Sequence, residues 1–186
     1  MNEIEVKAKL KNKEKVLEYL KSMGAEFLGT KYQKDIAFWP NDLKNSEGNH
    51  PLGRNFMRIR EQELNGIKKV LFTLKQPQTN QTDCKEYEIE IKENDIQKLK
   101  LMIFALDYHE YVTIEKNRTT AKLKDIEVCI DDVVGLGSYI ELEKFAPAEK
   151  AEETQKELYT ILESWEINKD DYVYDGYDVL VRRVQK

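Results

Sequence analysis

Apolar and ionisable residues alternate one by one over most of the chain, beginning with Glu3-Ile4-Glu5-Val6-Lys7. Successive side chains of a strand point to opposite faces, so Glu3, Glu5 and Lys7 share one face and Ile4, Val6 and Ala8 the other. Residues 26–39 carry Phe27, Leu28, Tyr32, Ile36, Phe38 and Trp39 and predict one or two strands. Phe56 to Gln62 and Ile67 to Lys75 flank Leu64-Asn65-Gly66, and the Asn-Gly pair predicts a hairpin. On its first strand Arg58 and Arg60 lie opposite Met57 and Ile59; on its second, Thr73 and Lys75 lie opposite Val70, Phe72 and Leu74. A further strand over 86–92 repeats the opening pattern at Glu88 to Lys92. Three more are predicted from Glu110 to Thr120, Leu123 to Asp131 and Ser138 to Phe145. Lys116 and Arg118 share a face of the first, Asp131 ends the second, and Glu141 and Glu143 oppose Ile140 and Leu142 on the third.

Between these strands the period lengthens to that of a helix. Asn12 is placed to cap a helix striped by Val16, Leu17, Leu20 and Met23 and stopped at Gly24. Asn94 is placed to cap a second, striped by Ile96, Leu99, Met102 and Ile103. Pro147 suits the first position of a third, running to about Trp165 with Leu158, Ile161 and Leu162 facing inward. A tail from Tyr172 to Val184 has the apolar residues to pack back on the rest. The polar loop from Pro40 to Asn55, with Asn45, Gly48 and Asn49, is long enough to be mobile or functional.

Composition narrows the function. The 186 residues suit a single domain over 1–186, and 30 Lys and Arg against 35 Asp and Glu give a net charge of −5. An acidic balance argues against general nucleic-acid binding. Cys84 and Cys129 lack CxxC spacing and read as reduced thiols. The start of the chain has no signal-peptide pattern, and no apolar stretch approaches membrane-spanning length, so a soluble cytoplasmic protein is expected. His50 and His109 stand alone, no serine has a nucleophile-elbow context, and Gly135-Leu136-Gly137 reads as a turn.

The amphipathic helices need an apolar sheet face to cover, and that leaves the charged face to be placed. Its charges sort by strand into basic rows (Arg58 and Arg60; Lys75; Lys116 and Arg118) and acidic rows (Glu3 and Glu5; Glu86, Glu88 and Glu90; Glu141 and Glu143). Two α+β arrangements accommodate them: an open antiparallel sheet with a solvated face, or an eight-stranded closed barrel with a polar interior. The second is costly to fold without a ligand. Basic groups suit phosphate oxygens and carboxylates suit Mg2+ or Mn2+, so a triphosphate with its metal would meet both demands. The residues by themselves leave both arrangements open.

ExExK at Glu3 to Lys7, RxR at Arg58 and Arg60, Thr73-Leu74-Lys75, ExE at Glu88 and Glu90, Glu115-Lys116-Asn117-Arg118, the Asp131 to Gly137 stretch and ExE at Glu141 and Glu143 occur in an order that resembles the CYTH domain, the triphosphate tunnel fold. The likeness spans residues 3 to 143 and is nearest to the class IV adenylate cyclase branch. It implies the closed antiparallel barrel with helices outside. It implies metal ligation (Mg2+ or Mn2+) by Glu3, Glu5, Glu141 and Glu143 with Asp131 nearby. Triphosphate binding would fall to Lys7, Arg58, Arg60, Lys75, Lys116 and Arg118, with Glu88 and Glu90 completing an acidic wall and Glu5, Lys7 and Asp131 catalytic. The implied partner is a small-molecule triphosphate: ATP for a cyclase, or tripolyphosphate, thiamine triphosphate or a nucleotide for a triphosphatase. A non-enzymatic phosphate-binding barrel is the alternative from another class, and a homodimer is compatible with any of these.

Overall fold

In the computed structural model, which describes residues 1–44, 50–79 and 83–185, the opening alternation is a strand, β1 (Asn2–Lys9). Asn45, Gly48 and Asn49 of the long polar loop lie outside the described residues. The remaining strands are β2 (Glu26–Pro40), β3 (Phe56–Leu64), β4 (Ile67–Pro77), β5 (Asp83–Ile91), β6 (Tyr108–Leu123), β7 (Ile126–Val133), β8 (Gly137–Ala146) and the two-residue β9 (Tyr172–Val173). They hydrogen-bond in the order β5-β4-β3-β2-β6-β7-β8-β1, all antiparallel. β1 then returns to β5 through Glu3 opposite Cys84 and Ile4 opposite Asp83, which closes an eight-stranded barrel. A buried hydrogen bond from Asn2 Nδ2 to Asp83 Oδ1 (2.6 Å) clamps this short seam. Beyond it, β9 takes over the same edge of β1 at Lys7 and Ala8. Closure shortens the two unpaired edges that an open sheet would expose.

The outer face supplies the folding energy. Ile4, Val6, Val128, Ile130, Ile140 and Leu142 are fully or almost fully buried beneath α1 (Lys13–Ser22) and α3 (Ala151–Ser164), against Val16, Leu20, Leu158 and Leu162. Phe38, Met57, Ile59 and Val70 pack around Ile103 of α2 (Ile96–Ala105). Burying one such side chain stabilises by about 1.5–3 kcal/mol relative to exposure. Paired charges in the interior offset little beyond their own desolvation. A third apolar cluster, with Trp39, Phe56, Ile114, Val133 and Tyr139, is drawn from the inward-facing positions and packs on Tyr177, Val179 and Val181 of α4 (Tyr177–Val184). The C-terminal segment therefore plugs one end of the barrel.

Local expectations fare unevenly. Asn12 caps α1, its Oδ1 accepting the Lys15 N–H at 3.0 Å. Asn65 and Gly66 both take positive φ (52° and 78°), as the primed hairpin turn requires. The stretch 26–39 forms one strand, bent by register shifts at Phe27/Gly29 and Ala37/Phe38. Asn94 caps nothing: it sits inside a 3-10 turn (Glu93–Asp95) that precedes α2. Pro147 is extended and precedes a similar turn, so α3 starts only at Ala151. Met23 and Met102 leave the predicted stripes for solvent: Met23 lies past the end of α1, and Met102 sits beside Ile103, which takes the buried position of α2. Among the described residues no helix is long and apolar enough to cross a membrane.

α4 is anchored by one buried carboxylate. Asp178 Oδ2 accepts from Trp39 Nε1 at 2.9 Å and lies 2.7 Å from His50 Nε2, whose ring stacks on Phe56. Against the burial that would raise it, His50 and Trp39 hold the Asp178 carboxyl at about 2, below its ordinary 3.8. A carboxyl depressed in the folded state stabilises fully above its ordinary pKa and loses that stabilisation as pH falls through the folded value. Between about pH 4 and pH 2, Asp178→Asn should therefore flatten the acid decline of Tm relative to the unmodified protein. Parallel Tm-against-pH curves would contradict this anchor.

Candidate active site

The strands that bury apolar residues outward carry ionisable ones inward. Each of the six cations expected at a triphosphate meets at least one carboxylate. Lys7 Nζ lies 3.0 Å from Glu5 and 3.1 Å from Glu141. Arg60 grips Asp35 with two hydrogen bonds of 2.7 Å. Lys75 bridges Glu3 (3.2 Å) and Glu86 (2.6 Å). Asp131 accepts from Lys116 at 2.9 Å and from Arg118 at 2.8 and 2.6 Å, while Arg118 also reaches Glu141 and, at 3.3 Å, Glu143. Arg58 is held most loosely, 3.3 Å from Glu88 and 3.4 Å from Glu86.

Two cavities, of about 160 and 200 Å³, occupy the barrel and share Glu3, Arg58, Arg60, Lys75, Arg118 and Glu143. All six basic residues expected at a triphosphate line the first, together with Glu3, Glu5, Glu141 and Glu143. This cavity runs towards the α4 plug, where Ala37, Phe56, Ile114 and Val173 make part of its wall apolar. The Tyr177 ring lies 4.5 Å from Lys7 Nζ and 4.7 Å from Lys116 Nζ, so this tyrosine both packs the plug and floors the cavity. Glu88 lines only the second cavity. Glu90 lines neither: it sits nearer the strand end, exposed and 2.8 Å from Lys69, so the inner acidic wall is Glu86 and Glu88.

The carboxylates are crowded where a cation would help most. Oxygens of Glu5, Glu141 and Glu143 lie within 4.8 Å of one another, and Glu5 faces Glu143 directly across the β1–β8 ladder. Burial, partly offset by Arg118 and reinforced by Glu3, Glu141 and Glu5, pushes the Glu143 carboxyl up to about 8. Against its own burial, Arg118 and Lys7 keep Glu141 well below the usual range. Three crowded carboxylates that together offer oxygen donors fit a hard divalent cation, which would relieve the crowding. Arg58 Nε, Gln33 Oε1 and the Tyr177 hydroxyl are buried without hydrogen-bond partners among the described residues. Such groups are costly unless a ligand or water completes them.

Glu3 and Asp131 fall outside the carboxylate cluster. Asp131 is fully buried behind Lys116 and Arg118, lines neither cavity, and has both oxygens engaged. Sequence reasoning missed Asp35 and left Glu86 unassigned. Asp35 alternates with Ile36 and Phe38 on β2 and was legible from that parity. Against burial, Lys75 and Arg58 hold Glu86 at about 2.

The CYTH domain matches residues 1–177 of the chain. A Methanocaldococcus jannaschii protein named "Putative adenylate cyclase MJ0240" is 34% identical over 178 residues, covering 95% of this chain and 97% of that one. The solved structure of PH1819 from Pyrococcus horikoshii OT3 superposes with a TM-score of 0.80 at 24% identity, over 97% of this chain and 98% of the other. The Hippeastrum protein HpAC1, called a "putative adenylyl cyclase" and described as revealing a dominant triphosphatase activity, superposes with a TM-score of 0.64 at 17% identity, over 100% and 97%.

Proposed function

The chain belongs to the CYTH domain family, and from that premise we propose that it is a divalent-metal-dependent enzyme acting on a triphosphate inside the barrel, as a class IV adenylate cyclase converting ATP to cyclic AMP and pyrophosphate. The observation that carries the reading is the meeting of six interior cations with the Glu5, Glu141 and Glu143 cluster on one cavity. Transfer at a phosphate needs positioning and charge neutralisation more than covalent help. Lys7, Arg58, Arg60, Lys75, Lys116 and Arg118 bind the phosphate oxygens. Glu5, Glu141 and Glu143 hold the cation, which when bound supplies further neutralisation and activates the attacking hydroxyl. The ribose 3′-oxygen bonds to the α-phosphorus as its bond to the bridging oxygen breaks; pyrophosphate leaves and the hydroxyl proton passes to solvent. The apolar wall near Phe56 and Val173 favours a substrate with an organic group, and the α4 plug limits water at that end.

A second reading, triphosphate hydrolysis, is supported by the cavity lined by Gln33, Gln62, Glu86 and Glu88, which offers almost no apolar surface on which a nucleobase could stack, and by the activity described for HpAC1. Incubation with ATP, tripolyphosphate and thiamine triphosphate, each with Mg2+ or Mn2+, separates the two. Cyclic AMP with pyrophosphate supports the cyclase; orthophosphate without cyclic AMP overturns it. Binding without turnover would make the barrel a phosphate-binding protein.

Arg58 gives the cleanest probe of binding, because its weak contacts leave it free to turn to substrate. A charge-assisted hydrogen bond is worth about 1.5–3 kcal/mol, so Arg58→Ala should raise KM for the triphosphate about 10- to 100-fold with a smaller change in kcat. An unchanged KM would remove Arg58 from the binding set.

A further inference from the structure

Glu143 has a second acidic neighbour. Across β8 it faces Glu5 on one side and Glu127 of β7 on the other. Like charges placed directly opposite destabilise a sheet unless something positive lies between them. On the Glu5 side every donor atom of the cluster is a carboxylate oxygen. On the Glu127 side one donor is sulfur: an oxygen of Glu127, the Cys129 Sγ and an oxygen of Glu143 lie within 4.8 Å of one another, with Sγ 3.6 Å from Glu127 Oε1. A separate observation points to the same place. Thr120, the cross-strand partner of Cys129, is 1% exposed, and its Oγ1 has no hydrogen-bond partner among the described residues. It lines the cavity that Glu127 and Glu143 also line.

We propose that Glu127, Cys129 and Glu143 form a binding site for a borderline-soft divalent cation such as Zn2+, Co2+ or Cd2+, with Thr120 Oγ1 as a further oxygen donor. The sulfur makes this site different in kind from the all-oxygen cluster beside it. Thiolate favours Zn2+ and its softer relatives, whereas Mg2+ and Mn2+ prefer carboxylate and water. The thiol proton passes to solvent as the sulfur binds the cation. Arg118 engages one oxygen of Glu143 at 3.3 Å, which leaves the other for this ion. Because Glu143 belongs to both clusters, a bound Zn2+ withdraws a ligand from the triphosphate site and should inhibit turnover. That last consequence rests on the proposed function; the cation site itself does not.

The test uses the full chain titrated with Co2+ and with Cd2+ in the presence of excess Mg2+. Thiolate-to-metal charge-transfer absorption should rise to one ion per chain. Cys129→Ser should abolish the band and weaken Cd2+ binding by more than about tenfold, the scale seen for lesser changes around metal sites. Cys84→Ser should keep both, and Glu127→Gln should weaken binding while keeping the band; circular dichroism establishes that each variant is folded. Absence of the band, its survival in Cys129→Ser, its loss in Cys84→Ser, or unchanged affinity in Glu127→Gln overturns the site. A lack of triphosphate turnover leaves the spectrum untouched, and a lack of the band leaves Mg2+-dependent turnover untouched, so the two readings fail separately.

Discussion

Glu5→Gln should abolish metal-dependent turnover, by at least about 10³-fold in kcat/KM or about 4 kcal/mol of transition-state stabilisation, while the barrel stays as stable as before or becomes more so. Glu5 is one of three carboxylates that converge, and it faces Glu143 directly across the ladder. Neutralising it relieves part of the crowding that keeps the opposed Glu143 carboxyl from ionising, worth up to about 1 kcal/mol. Its other contact is with Lys7, which keeps Glu141 at 3.1 Å and so is not left as an unpaired buried charge. The variant also cannot hold the cation against triphosphate oxygens with only two charged ligands. Activity and stability therefore move in opposite directions, the signature of a residue retained for function at some expense of folding. Thermal melting with and without Mn2+, beside the turnover assay, reads both. Full activity, or a fall in Tm of several degrees without metal, would show that Glu5 serves the fold.

The same contrast explains what could be read in the residues alone. Parity along each strand separates the two faces, because it depends only on the backbone period. Whether the charged face points to water or into a lumen depends instead on Glu3 meeting Cys84, a pairing across 80 intervening residues that no local period encodes. Depth along the barrel axis is set by register, which is also non-local. Hence Asp131, Glu141 and Glu90 share an inward parity with one another, yet one is buried behind cations, one lines the cavity and one is exposed on Lys69. One clue was available but scattered. On β2, β3, β6 and β8 the inward face changes from charged to apolar over one step: Asp35 to Ala37, Arg58 to Phe56, Lys116 to Ile114, and Glu141 to Tyr139. Those changes occur at the end that α4 plugs, and they turn an apolar tail into a floor for the site.

Asp131→Asn should cost about 3–5 kcal/mol of stability, because it removes one partner from a buried charge cluster and leaves the others uncompensated. Asp131 is wholly inaccessible and holds Lys116 and Arg118 together. Arg118 retains Glu141 and Glu143, but Lys116 loses the one carboxylate within ion-pair distance among the described residues and keeps the face of Tyr177 and the more distant charge of Glu141. Burial and Arg118 already hold the Lys116 ammonium below its ordinary range despite Asp131, and the variant would depress it further. A lysine with a lowered folded pKa binds fewer protons folded than unfolded, so stability rises with pH. The deficit of Asp131→Asn should accordingly shrink as pH rises towards the ordinary lysine range near 10.5. A metal ligand would behave otherwise. If Asp131 orients cations and does not touch the divalent ion, Mn2+ affinity measured by water-proton relaxation should change less than about threefold, well short of the 10–100-fold expected even for an outer partner of a metal site, while triphosphate KM rises as Lys116 and Arg118 lose their alignment. Loss of Mn2+ binding with stability intact would instead place Asp131 among the ligands, and the carboxylate cluster at Glu5, Glu141 and Glu143 would have to be extended to include it.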